Sequence, residues 1–231
     1  MAGRKLRILC LHGWRTSNKV LQVQLVGLQR ALGGKDGVEF ISLNSPMLAS
    51  GPPHAEVETF FGKQGPYYEW WDHVEHPATD TTPKRSEYVG IERSLSFLQG
   101  QVDVLGPFDA VLGFSQGAAM TTLLTANYLA QGKSAPYQAV VLVCGLLPRD
   151  GMPKNLLVDN KYLLKIPSLH ILGEKDAIFK WGQHLVEAYE SSSRHIYIHP
   201  DGHKFPTLPQ STHMYNEIAS TLRSICEERR L

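Results

Sequence analysis

Short continuous apolar runs alternate along the chain with longer segments in which apolar residues recur every three or four positions. The continuous runs are typical of strands buried on both faces of a parallel sheet, and the periodic segments of helices with one buried side. These runs predict strands at 6–11, 38–43, 108–114, 139–144 and 168–172. Residues 195–199 alternate instead, which predicts a last strand near an edge of the sheet. The predicted helices are 20–32, 88–105, 118–129, 180–190 and 214–228. This alternation predicts a doubly wound α/β fold with a mostly parallel sheet.

One long segment, residues 44–85, shows neither pattern and contains several prolines. We interpret it as an irregular, aromatic-rich insertion in a single domain of residues 1–231, because a chain of 231 residues suits one large α/β domain. Its aromatic density argues against disorder. Candidates for the wall of a substrate groove are Tyr67, Tyr68, Trp70, Trp71 and, further along, Phe205. The same side chains could equally cover the core beneath the loop.

The composition narrows the class of protein. A formal net charge of +1 gives no electrostatic footprint for nucleic-acid binding. No apolar run approaches the roughly 18 residues that a membrane span requires. The three cysteines are scattered and lack the spacing of a disulfide framework or a zinc site. The first predicted strand starts at about residue 6, which leaves no room for a signal peptide. We therefore expect a cytoplasmic protein that uses no metal.

The strongest chemical signal is Gly-Phe-Ser-Gln-Gly at positions 113–117. It lies between a predicted strand and a predicted helix, which is the context of a nucleophile elbow. We expect Gly113 and Gly117 to be required because the turn brings backbones so close that a Cβ would clash. Ser115 would then stand exposed at the carboxyl edge of the sheet. The alternative is an ordinary strand-to-helix turn in which Ser115 is the N-cap.

An activated serine needs a base and an acid that orients the base. In α/β-hydrolases the order along the chain is serine, acid, histidine. Asp176 is the candidate acid, because it follows a predicted strand and Gly173 allows a sharp turn. Glu174 is its nearest competitor, and Asp150 and Asp159 are weaker ones.

His203 is the candidate base, since it follows the last predicted strand and Gly202 lets the chain turn back toward the serine. The other histidines fit less well. His195 and His199 belong to the strand, His170 lies inside a strand and is expected to be packed, and His213 lies near the closing helix.

An oxyanion site needs two N–H donors aimed at the developing charge. The residue after the nucleophile supplies one, which is the N–H of Gln116. The loop after the first strand supplies the second, and we expect the N–H of Trp14. His12, at the start of that loop, is expected to hold the loop in shape rather than to act as a base.

Taken together, these segments resemble the FSH family of serine hydrolases over nearly the whole chain. The resemblance rests on segments 7–13, 69–71, 113–118, 173–176 and 202–206. It implies an α/β-hydrolase fold without a large lid domain, carboxylesterase activity with medium or long acyl chains in some members, and no cofactor. The chain departs from the family's Gly-Gly-His pattern at Asp201, where we expect no loss of activity.

The leading hypothesis is therefore a serine hydrolase that cleaves small-molecule carboxylic esters, with medium- to long-chain acyl groups expected, through an acyl-enzyme. Acyl thioesters on a carrier or on coenzyme A are an alternative, because the same chemistry serves both. A non-catalytic interaction domain on the same fold is a more distant alternative. The sequence does not predict the oligomeric state.

Overall fold

The computed structural model describes residues 4–62, 65–79, 85–158 and 161–228. The strands are β1 (Leu6–Leu11), β2 (Val38–Leu43), β3 (Asp72–His76), β4 (Arg85–Val89), β5 (Ala110–Phe114), β6 (Ala139–Val143), β7 (Leu157–Val158), β8 (Lys161–Tyr162), β9 (Ser168–Gly173) and β10 (Arg194–His199). The helices are α1 (Asn18–Gln24), α2 (Val26–Ala31), α3 (Gly34–Gly37), α4 (Ala55–Phe61), α5 (Ile91–Leu105), α6 (Gln116–Ala130), α7 (Phe179–Glu187) and α8 (Thr212–Glu228). A 3₁₀ turn covers Lys154–Leu156.

A six-stranded sheet in the order β10–β9–β6–β5–β1–β2 forms the centre of the fold. Every neighbouring pair in it is parallel, which confirms the predicted parallel α/β architecture. The carboxyl ends of all six strands therefore point to one edge of the sheet. Ligand sites of open α/β sheets lie at that edge, and the segments that follow β1, β5, β6, β9 and β10 meet there.

Successive side chains of the central strands enter two different cores. Leu9 and Leu11 of β1 pack in the cluster that includes α5, α6 and α7. Ile8 and Cys10 point the other way, into the cluster that includes α1, α2 and α8. Because both faces are covered, the central strands are apolar at nearly every position. The sheet is thereby held as a rigid platform for the loops at its edge.

Some elements differ from the sequence predictions. The helix predicted over 20–32 is two helices that meet at Leu25. The segment predicted to be irregular contains α4 and β3, and β3 pairs antiparallel with β4. Residues 88 and 89, predicted as helical, therefore end β4, and Gly90 with a φ of 103° precedes α5. Polar residues occupy most positions of β3 and β4, so neither strand shows an apolar pattern. No helix in the described ranges is long and apolar enough to cross a membrane.

Candidate active site

Ser115 occupies the sharp turn between β5 and α6. Its φ of 54° and ψ of −117° are unusual for a residue with a side chain, and such conformations cost on the order of 1–3 kcal/mol. The Ser115 N–H donates to the Val143 carbonyl at 2.9 Å and so ties the turn to β6. A Cβ on Gly113 would overlap the Gly117 carbonyl, and one on Gly117 would overlap the Leu11 carbonyl. The steric requirement for both glycines is confirmed.

The imidazole of His203 joins Ser115 to Asp176. Its Nε2 lies 2.8 Å from the Ser115 Oγ, and its Nδ1 lies 2.7 Å from the Asp176 Oδ2. A carboxylate only accepts hydrogen bonds, so Nδ1 carries the proton and Nε2 is free to accept the serine hydroxyl. The ring is therefore held in the tautomer in which it can take a proton from Ser115.

Asp176 is fixed by its own loop after β9. Its side chain is 3% exposed, and its second oxygen, Oδ1, accepts the Ile178 N–H at 2.9 Å. Both carboxylate oxygens are thus engaged, one by the backbone and one by His203. Glu174 and Asp150 are exposed, and Asp159 lies outside the described residues. The geometry therefore favours Asp176 as the partner of the imidazole.

The loop after β1 lies beside the serine. A Cβ built on Gly13 would come within 3.5 Å of the Ser115 Cβ. The N–H groups of Trp14, in this loop, and of Gln116, the first residue of α6, donate no hydrogen bond to any described residue. The first N–H groups of a helix have no acceptor within the helix. The two donors expected for the oxyanion site therefore have no other hydrogen-bond acceptor among the described residues.

His12 holds this loop in place, as predicted. It is fully buried, its Nδ1 lies 2.7 Å from the Gly13 carbonyl, and its Nε2 accepts the Ser45 N–H at 3.2 Å. Burial lowers the pKa of His12 to about 4. A neutral ring with one donor and one acceptor satisfies both contacts and leaves no free base. His170, predicted as a packed histidine, is likewise buried inside β9.

The indoles of Trp70 and Trp71 belong to the hydrophobic core, which favours the alternative that these aromatic residues cover the core rather than wall a substrate groove. Trp70 has 0% exposure, and its Nε1–H donates to the His12 carbonyl at 2.8 Å. Trp71 stacks on Tyr88 with ring centroids 5.2 Å apart. Burial of these two large rings stabilises the fold, and the Trp70 hydrogen bond anchors the backbone of His12 to the core.

The remaining aromatic candidates also pack against protein. Tyr67 is buried, and Phe205 is buried against Phe114 at 5.3 Å between ring centroids. Tyr68 is half-buried, and its backbone pairs with that of Thr16. Of the five, Tyr68 alone retains substantial accessible surface, and its role in binding stays a prediction.

The side chain of Gln116 has a role that sequence reasoning missed. Its Oε1 accepts the Trp70 N–H and its Nε2 donates to the Trp71 carbonyl, both at 2.8 Å. All of these groups are buried. The amide therefore clamps the aromatic segment to the elbow. The available signal was a polar residue in the first turn of an otherwise buried helix.

A second support joins the loop after β1 to Ser50 and Glu69. The Arg15 guanidinium lies 4.1 Å from the Trp14 ring centroid and 3.4 Å from the carboxylate of Glu69. Glu69 is buried, and its other oxygen accepts the Ser50 N–H at 2.9 Å. A buried carboxylate needs such partners to offset its desolvation. This network holds the backbone around Trp14.

Cys144 lies beside Asp176 and His203, with its sulfur within 4.8 Å of a side-chain ligand atom of each. It has a φ of 47°, and its Sγ–H donates to the Lys204 carbonyl at 3.4 Å. Burial raises the pKa of the Cys144 thiol to about 12, so the thiol remains a donor.

Within the described ranges, Cys144, Asp176 and His203 are the one group close enough to share a metal ion. Asp176 and His203 already bind each other, and the protonated thiol is a poor ligand, so this group does not suit a metal.

Comparison with known proteins identifies the family of the chain. The family model described as "Serine hydrolase (FSH1)" matches residues 1–215. Human "Esterase OVCA2" is 30% identical over 93% of this chain and 95% of its own length. "Esterase FPY3" of Fusarium mangiferae is 28% identical over 90% of this chain and 91% of its own. The solved structure of a carboxylesterase from Mesorhizobium loti matches with a TM-score of 0.58 and 16% identity, covering 95% of this chain and 91% of that one. The chain belongs to the FSH1 family of serine hydrolases, and it is a carboxylesterase-type hydrolase with an α/β-hydrolase fold.

Proposed function

We propose that the chain hydrolyses small-molecule carboxylic esters through an acyl-enzyme on Ser115. His203 is the general base, and Asp176 orients it. The observation that carries the proposal is the imidazole held at 2.8 Å from the serine hydroxyl and at 2.7 Å from a buried carboxylate. This is the geometry that converts a weakly nucleophilic hydroxyl into an attacking group.

The first half of the reaction acylates the serine. His203 Nε2 takes the hydroxyl proton as Ser115 Oγ forms a bond to the ester carbonyl carbon. The carbonyl oxygen becomes an oxyanion that accepts the N–H groups of Trp14 and Gln116. Collapse of the intermediate breaks the bond to the leaving alcohol, which receives the proton from Nε2.

The second half repeats these steps with water in place of serine. His203 Nε2 takes a proton from water as the water oxygen attacks the acyl carbonyl carbon. It then returns the proton to Ser115 Oγ as the bond from Oγ to the acyl group breaks and the acid leaves. Asp176 keeps its hydrogen bond to Nδ1 throughout and stabilises the imidazolium. Protons and bonds balance without a metal or cofactor.

Esters of medium or long acyl chains are the substrates that we propose. Helix α4 begins after His54, whose ring lies 5.5 Å from the ring of Trp14. The helix presents Phe60 at 80% and Phe61 at 42% exposure. Accessible aromatic surface on a segment that starts beside the oxyanion loop supports an apolar acyl group rather than a charged one.

A fluorophosphonate probe tests the nucleophile. Wild-type protein should be labelled and Ser115→Ala should not, while Ser191→Ala, which alters an exposed serine in a turn, should label normally. Labelling that persists in Ser115→Ala would show that another residue is the nucleophile. Failure of the folded wild type to label would remove the proposal.

A substrate series tests the acyl preference. p-Nitrophenyl esters from acetate to palmitate should give kcat/KM values that rise with chain length. Acyl-coenzyme A thioesters of matched length should be poorer substrates. A preference for the thioesters would instead identify the enzyme as a thioesterase, and a preference for acetate would contradict the proposed acyl group.

A further inference from the structure

The loop that carries His203 connects β10 to α8, and its first part is tied to the loop of Asp176. The Glu174 N–H donates to the His199 carbonyl at 2.8 Å, and the Lys175 N–H donates to the Asp201 carbonyl at 3.0 Å. These backbone bonds place the chain just before His203. They do not hold the chain that follows it.

A side-chain link closes the loop on the far side of His203. Asp201 Oδ2 accepts the Thr207 hydroxyl at 2.8 Å and the Thr207 N–H at 3.3 Å. The Asp201 Oδ1 lies 3.5 Å from the Lys204 Nζ. The carboxylate therefore spans the loop with His203 inside it. Its inner side faces buried His199, whose Nδ1 lies 3.8 Å from Oδ2, beyond hydrogen-bond distance.

Burial holds the chain at Phe205 and the Cys144 thiol bonds the Lys204 carbonyl, but neither contact holds the imidazole of His203 itself. The imidazole is 37% exposed, and its own hydrogen bonds go to Asp176, which orients it, and to Ser115, from which it takes a proton. The carboxylate of Asp201 is solvated, so its ion pair with Lys204 contributes little. Its two bonds to Thr207 have fixed directions and define the shape of the loop. A catalytic group has to be held to within about 0.5 Å by its surroundings.

We propose that Asp201 is a positioning residue for the general base, acting through Thr207. This inference rests on the proposed function, since it assigns His203 the role of base. It also gives the carboxylate at position 201 a role, whereas the sequence predicted only that the departure from Gly-Gly-His causes no loss of activity. The hydrogen bonds of the carboxylate lower the pKa of Asp201, chiefly through the Thr207 hydroxyl, so the carboxylate stays an acceptor at neutral pH.

Three variants and one control test the proposal with p-nitrophenyl butyrate. Asp201→Ala and Thr207→Val should each lower kcat by about 10- to 100-fold, with KM unchanged within about twofold, because substrate binding is not altered. Asp201→Asn keeps an oxygen that accepts both Thr207 donors, and it should recover most of kcat. Thr212→Val is the control. It removes another exposed threonine hydroxyl, which bonds the Pro209 carbonyl near the end of the same connection, and kcat should not change.

A spectroscopic readout separates positioning from general destabilisation. The far-downfield proton resonance of the His203 Nδ1–H, bonded to Asp176, should broaden or disappear in Asp201→Ala and Thr207→Val. It should stay sharp in Asp201→Asn and Thr212→Val. Because Asp201 and Thr207 form one link, the double variant should be no worse than either single variant.

The proposal is overturned if Asp201→Ala and Thr207→Val fold and keep kcat and the resonance. It is also overturned if their losses multiply in the double variant, or if KM alone rises. Should Asp201→Ala fail to fold, Thr207→Val decides by itself. A wild type that neither hydrolyses esters nor labels with fluorophosphonate would remove the proposed function instead, and the resonance would still report on the loop.

Discussion

Replacing Gln116 with methionine should destabilise the protein although the side chain keeps its size. Methionine has nearly the volume and helix propensity of glutamine, so the backbone of α6 is not disturbed. The change removes two hydrogen bonds at 2.8 Å and leaves the Trp70 N–H and the Trp71 carbonyl buried without partners. Each such group costs about 1–3 kcal/mol. The expected loss is therefore about 2–6 kcal/mol of unfolding free energy, a large part of the roughly 5–15 kcal/mol that typical domains possess.

Urea denaturation followed by tryptophan fluorescence measures this loss, and thermal unfolding should show a Tm lower by at least about 4 °C. Gln131→Met is the matched control. Gln131 lies just past the end of the same helix and is exposed, and its side chain makes two surface hydrogen bonds, one to Asn127 and one from Lys133, so its replacement should change stability by less than about 0.5 kcal/mol. Gln116→Met should still label with fluorophosphonate because the backbone N–H of residue 116 is retained. An unfolding free energy within about 0.5 kcal/mol of wild type would refute the clamp.

Three further predictions concern the acid, the buried histidines and the cysteines. Asp176→Asn should lower kcat on the order of 10⁴-fold, while Glu174→Gln stays near wild type; the opposite result would make Glu174 the acid. Burial lowers the pKa of His12 to about 4 and that of His170 to about 3, so below the ordinary value of about 6.5 the unfolded chain binds protons first. As the pH is lowered from about 6.5 to 4, the free energy of unfolding should therefore fall by about 1.4 kcal/mol per pH unit for each histidine. Urea unfolding of His170→Asn should show an unfolding free energy that depends less steeply on pH, and an unchanged slope would contradict this. Finally, a thiol reagent should modify none of the three buried cysteines in the native protein and all of them in denaturant; rapid reaction of the native protein would contradict their burial.

The central architecture was predictable because its determinants are local. Strands buried on both faces have to be apolar at successive positions, and this pattern predicts the inner strands β1, β5, β6 and β9. The elbow at Ser115 is a local steric problem that glycines at 113 and 117 solve. The order of Asp176 and His203 along the chain predicts their roles. Each also follows a strand of a parallel sheet, whose strands all have their carboxyl ends at one edge.

The supports of the site were decided only by the tertiary structure. Gln116 bonds Trp70 across 46 residues of sequence, and no periodicity records which carbonyls and N–H groups a buried amide will meet. The same applies to the burial of Trp71, since an aromatic residue in a loop suits a groove or a core equally well until its neighbours are placed. The β3–β4 pair escaped prediction because polar residues occupy most of its positions, so neither strand shows an apolar run. Sequence thus determined which groups reach the sheet edge, whereas long-range hydrogen bonding and packing determined how firmly each of them is held there.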